Sequence, residues 1–105
     1  MYSLFIDDER FPPEQTQKGD WVIARTQDEV KKIISERGFP DFISFDHDLG
    51  DEQPTGYDIA KYLVELDMDN AVIPDNFSFY VHSQNPIGAK NIQSYLDSYL
   101  RIKEI

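Results

Sequence analysis

The chain contains no cysteine, which excludes a disulfide scaffold and any thiolate metal site and fits a reducing compartment. Cations are scarce: ten Lys and Arg stand against twenty Asp and Glu, a formal net charge of −10. A broad electrostatic grip on DNA or RNA is therefore not expected, because such binding needs cationic side chains to displace counterions from phosphates. A small anionic ligand or a single RNA end stays compatible if a divalent cation and a few local basic residues offset the acidic surface. The sequence also lacks a long apolar run, an N-terminal leader pattern and any low-complexity stretch, so neither a membrane span nor secretion is expected and the cytoplasm is the default location.

What is present suffices for one core. A length of 105 residues suits a single domain, 1–105, and seven Phe and six Tyr supply core volume. Tyr2 to Ile6 reads as a buried strand that ends abruptly at Asp7, Asp8, Glu9 and Arg10. Residues 11 to 20 read as a polar loop in which two prolines disfavour a helix, and Trp21 to Arg25 as a second strand. Thr26 and Glu29 have capping-box spacing ahead of a helix over Gln27 to Arg37, with Gly38 placed to end it. Phe42 to Phe45 is a third strand followed by Asp46, His47 and Asp48; Thr55 and Asp58 open a second helix whose apolar face is Ile59, Ala60, Leu63 and Val64. Phe77 to Val81 is a fourth strand ending in His82 and Ser83. Asn85 and Pro86 then supply an N-cap and first helical residue for a last helix with its stripe at Ile92, Tyr95, Leu96, Tyr99 and Leu100. Strands alternating with helices predict a three-layer, mainly parallel α/β sheet of about four strands.

Three strands thus end in polar clusters. In an open parallel sheet ligands bind outside the carboxyl ends of the strands, so the clusters should face one crevice. Packed carboxylates repel unless a cation neutralises them, and hard oxygen ligands suit Mg²⁺ or Mn²⁺. Asp7 or Asp8, together with Asp46, are the preferred ligands. His47 and His82 can add ligands or act as acid and base in phosphoester chemistry.

Each feature taken singly also has an ordinary reading. An Asp pair after a strand is often a solvated turn, a lone His is often a satisfied structural residue, and Asn85 to Gly88 can be plain capping, although free helix amides there could hold a phosphate with Lys90 one turn inside. Arg10 and Arg25 are the other local cations and can equally form structural ion pairs. Trp21 could stack on a base but suits a core position as well. The repetition of polar clusters at three strand ends favours a site.

The segments LFIDDERFPP, WVIART, DFISFDHDLGDEQPTGYDIAKYL and YVHSQNPIGAKNI, in that order across nearly the whole chain, resemble the cyclic-phosphate-processing receiver-like domains, relatives of response-regulator receivers. The resemblance implies a receiver/flavodoxin-like fold in which Asp7 with Asp8, Asp46, and Ser83 stand where a receiver has its Mg²⁺-holding acidic pair, its phosphoacceptor Asp and its hydroxyl residue. Two departures accompany it: no helix is expected between the first two strands, and the usual fifth strand with its signalling Lys is lacking. Adding His47 and His82 to the acidic site implies metal-assisted handling of a cyclic phosphate, such as a 2′,3′-cyclic phosphate at an RNA end or a cyclic nucleotide, in RNA repair or conflict systems of a phage or its host. On that reading Asp46, His47, His82 and Ser83 are catalytic, Asp7, Asp8, Asp46 and Asp48 hold a divalent Mg or Mn, and Arg10, Arg25, Asn85, Gly88 and Lys90 meet the phosphate. The alternatives are a non-catalytic module binding a protein or nucleotide, and a phosphoacceptor switch at Asp46, which the missing Lys-bearing strand weakens.

Overall fold

The computed structural model of the chain describes residues 2–12 and 20–103. Its elements run β1 (Tyr2–Ile6), β2 (Asp20–Ala24), α1 (Gln27–Arg37), β3 (Phe42–Phe45), α2 (Gly56–Asn70), β4 (Ser78–Val81) and α3 (Pro86–Lys103). The four strands form one sheet in the order β2-β1-β3-β4, every neighbouring pair parallel. The receiver/flavodoxin-like α/β class is as expected, with no fifth strand among the described residues. The three described helices, however, all join the core on one face of the sheet rather than making the expected three layers, because the crossovers from β2 to β3 and from β3 to β4 run in the same direction across it. The expectation of a helix-free loop over residues 11 to 20 falls largely on residues 13–19, outside those described. No described helix is long and apolar enough to cross a membrane.

Three strand boundaries differ by one residue from the sequence reading: β2 begins at Asp20 rather than Trp21, and the other two shifts each have a hydrogen-bonding reason. The Arg25 amide donates to the Glu29 carboxylate, so β2 stops at Ala24. The Phe77 amide is spent on the Pro74 carbonyl at 3.0 Å, and the ladder begins only where Ser78 N donates to Asp41 O at 3.1 Å. The first of these also leaves the Thr26 capping box half made: Thr26 Oγ1 accepts from Glu29 N, while Glu29 reaches back to Arg25 rather than Thr26. At α2 the box is complete, with Thr55 and Asp58 each accepting from the other's amide. The carboxyl of Asp58 sits below its usual range chiefly because the Thr55 amide donates to it.

Strand alternation separates the sheet's two faces. Leu4, Ile6, Ala24, Ile43 and Phe45 join one core with Val30 and Ile34 of α1, Ile59, Ala60, Leu63 and Val64 of α2, and Ile92 and Leu96 of α3. The opposite face carries Phe5, Trp21 and Phe42, whose rings meet edge to face along the row.

At the end of the molecule away from the strand tips, Asp67 ties α2 to α3. This buried carboxylate accepts from Ile73 N at 2.8 Å, Tyr99 Oη at 2.6 Å and Lys103 Nζ at 2.7 Å. Burial pushes its pKa up, but Lys103, Tyr99 and the Ile73 amide outweigh burial and hold it below the usual carboxylate range. Burial and the hydrogen bond to Asp67 in turn push Tyr99 up to about 12. A carboxyl whose folded pKa is depressed adds stability that is present above its unfolded value, ~3.9, and disappears as pH falls through the folded value. Urea midpoints should therefore fall steeply below about pH 4. Asp67→Ala should lose about 2 kcal/mol at pH 7 by leaving the buried Ile73 amide and the half-buried Tyr99 hydroxyl unpaired and should flatten that acid limb; an unchanged limb would remove the assignment.

Candidate functional site

The chain reverses its direction of travel across the sheet between β1 and β3, since β2 lies on one side of this pair and β4 on the other. A crevice forms at the strand ends where such a reversal occurs. The ladders continue one residue past each strand: Asp7 N donates to Ala24 O at 3.2 Å, Asp46 N to Ile6 O at 2.8 Å and His82 N to Phe45 O at 2.9 Å. Asp7, Asp46 and His82 thereby form the next row of the sheet after Ile6, Phe45 and Val81, which are in register. Alternation puts this row on the face of Phe5, Ser44 and Tyr80, opposite the helices. The result is a cluster in which one ligand atom from each of Asp7, Asp46 and His82 lies within 4.8 Å of the others.

Asp7 is fully buried. Its Oδ1 accepts from the amides of Glu9 at 2.9 Å and Arg10 at 2.8 Å; its Oδ2 meets His82 Nε2 and Arg10 Nε, both at 2.9 Å. Burial pushes the Asp7 pKa up, and the two amides, His82 and the Arg10 charge together override it, so the carboxyl lies below its usual range. An ionised carboxylate can only accept, so Nε2 of His82 carries a proton, and the Ser44 hydroxyl at 2.7 Å closes Nδ1. Stacking on Phe5, with centroids 4.6 Å apart and planes 2° from parallel, fixes the ring. Both nitrogens of His82 are thus engaged. Asp46, also buried, accepts from His47 N at 2.9 Å through Oδ1 and faces Arg10 Nη2 at 3.5 Å through Oδ2.

The neighbouring positions turn toward the helices. The His47 ring lies against Gly88 in the first turn of α3, where an added Cβ would come within 2.4 Å of the ring. His47 Nδ1 pairs with Asp48 Oδ1 at 2.8 Å, and this hydrogen bond is the first cause holding Asp48 below its usual range. Asn85 caps α3, its Oδ1 accepting from Gly88 N at 3.0 Å, so that amide is already taken; its Nδ2 lies 3.5 Å from Asp48 Oδ2. Glu9, Arg10, Asp46, Asp48, Ser83, Gln84 and Asn85 line an open cleft of about 290 Å³.

Other residues singled out in the sequence lie elsewhere. Asp8 and Lys90 are exposed and belong to neither the three-residue cluster nor the cleft wall. Arg25 braces the loop, its guanidinium donating to the carbonyls of Asp7 at 3.0 Å and Arg10 at 2.6 Å. Among the site residues that escaped the sequence reading are Ser44, which holds His82, Gln84, which lines the cleft, and Gly56, whose amide donates to His47 O at 2.8 Å. Ser44 had a signal, being a polar residue two positions before Asp46 in an apolar strand. Gly56 had none.

The two buried carboxylates, Asp7 and Asp46, are hard oxygen donors of the kind that suit a divalent cation such as Mg²⁺ or Mn²⁺.

The model of the family described as the cyclic-phosphate processing receiver domain matches residues 2–98. No curated protein matches the chain significantly. A solved structure described as a yeast Spc42 trimeric coiled coil fused to another protein of solved structure is similar over 98% of this chain and 80% of that one, with 18% identity and a TM-score of 0.57; at that identity the likeness concerns the fold.

Proposed function

This chain belongs to the cyclic-phosphate processing receiver domain family, and from that premise we propose that it is a divalent-metal-dependent phosphoesterase that opens a cyclic phosphate, at an RNA 2′,3′-cyclic end or in a cyclic nucleotide. The observation that carries this reading is the convergence of Asp7, Asp46 and His82 within 4.8 Å beside a cleft walled by Arg10, Ser83 and Asn85. A bound Mg²⁺ or Mn²⁺ supplies charge that polarises the phosphoryl group and acidifies water. Asp7 and Asp46 would hold it, with His82 as the group that keeps Asp7 in place. Arg10, Ser83 and Asn85 orient the phosphate oxygens.

His47 is the proton carrier in this scheme: it adjoins the cleft through Asp48, which lines it, and that contact uses only Nδ1 and leaves Nε2 for chemistry, whereas both nitrogens of His82 are engaged. Water adds to phosphorus and gives its proton to His47; the bond from phosphorus to one ring oxygen breaks; that oxygen takes the proton from His47, leaving a phosphomonoester and a hydroxyl.

The test is turnover of a 2′,3′-cyclic-phosphate-terminated oligonucleotide and of free cyclic nucleotides with Mg²⁺, Mn²⁺ or EDTA. Metal-dependent ring opening that EDTA stops is the expected result. A folded protein that turns over none of these substrates under any condition would replace the hydrolase with a phosphate-binding module.

A further inference from the structure

Asp7 has no coordination capacity left. A carboxylate offers about four lone-pair positions, and four donors fill them: the amides of Glu9 and Arg10 on Oδ1, and His82 Nε2 and Arg10 Nε on Oδ2. A cation can coordinate Asp7 only by displacing one of them. The two amides are fixed by the turn that follows β1. His82 is clamped by Ser44 and by its stack on Phe5. The Arg10 side chain is 41% exposed and is the donor free to leave. The same guanidinium is 3.5 Å from Asp46 Oδ2, so it bridges the two carboxylates proposed to hold the metal, and it lines the cleft proposed to receive the phosphate.

We propose that Arg10 is an exchangeable counter-cation: it neutralises Asp7 and Asp46 in the metal-free protein, yields that position to the divalent cation, and turns its guanidinium to the substrate phosphate. This rests on the metal reading above and deepens it. Metal and phosphate binding then help one another, because the ion frees the phosphate ligand and an anion holding Arg10 away removes the ion's competitor. Such coupling is reciprocal by linkage. The exchange also avoids an unpaired pair of buried carboxylates before metal arrives, which would be costly.

The experiment is calorimetric titration of Mn²⁺ into wild type, Arg10→Gln, Arg10→Met and Arg10→Lys, with Asp46→Asn as the site control and circular dichroism as the folding check. Each is followed by titration of inorganic phosphate with and without saturating Mn²⁺. Gln and Met remove the competing charge and should tighten Mn²⁺ binding about tenfold while weakening phosphate binding to the Mn²⁺-loaded protein by a similar factor; Lys keeps the charge and should stay within about threefold of wild type for Mn²⁺. Unchanged or weaker Mn²⁺ binding in both neutral variants, with Asp46→Asn still abolishing it, would overturn the exchange and leave the metal reading standing. Absence of Mn²⁺ binding in wild type and every variant would overturn both.

Discussion

Gly56→Ala is expected to cost the fold at least about 3 kcal/mol, although intrinsic helix propensity alone would favour alanine by about 1 kcal/mol. The sign reverses because of where α2 starts. A Cβ at Gly56 would lie 2.0 Å from the carbonyl oxygen of Asp46 and 3.1 Å from Ile92 Cδ1. The first contact is with backbone, so no rotamer change relieves it. The first turn of α2 would have to lift off the end of β3, breaking the 2.8 Å hydrogen bond from Gly56 N to His47 O and straining the Thr55–Asp58 capping box. Those segments carry Asp46 and His47, so any activity should fall with stability. Urea unfolding of the two proteins checks this; an alanine variant within about 1 kcal/mol of wild type would mean that helix and strand do not approach this closely.

Asp46→Asn is expected to lower turnover of a cyclic phosphate by roughly 10³-fold or more, above the range for losing one oxyanion donor, while the protein stays folded. Asparagine is the cleaner substitution because Oδ1 of residue 46 accepts from the His47 amide, a contact an amide oxygen can keep. What it removes is charge: half of the buried pair that faces Arg10. Steady-state kinetics in Mn²⁺, with calorimetry for the metal, reads both effects. Loss of Mn²⁺ binding together with turnover is the expected pattern, and wild-type turnover in the variant would exclude Asp46 from the centre.

Much of this architecture was legible in the chain because its signals are local. The run Tyr2–Ile6 followed by Asp7 marks a strand and its end without knowledge of any partner, and Thr55 with Asp58 marks the start of α2 because capping is settled within four residues. Competition for single amides was not legible. Phe77 is as good a strand former as Ser78, yet its amide goes to Pro74 O, a choice fixed only once the connector folds back. Glu29 likewise reaches Arg25 rather than Thr26, ending β2 at Ala24.

The sequence by itself determined that three strands end in polar groups, that the chain is too acidic for a broad hold on nucleic acid, and that any cation at the strand ends would be met by carboxylates. It could not choose within each cluster. That choice required sheet register: Asp7, Asp46 and His82 share a row because three ladders each run one residue past their strands, whereas Asp48 is drawn to His47 and Asn85. The tertiary structure also decided the difference between the two histidines. His82 is enclosed by Ser44, Asp7 and Phe5, while His47 rests on Gly88 with one nitrogen toward Asp48. The physical reason is that side-chain direction alternates with every residue along a strand, so adjacent residues of similar chemistry are sent to opposite sides of the sheet.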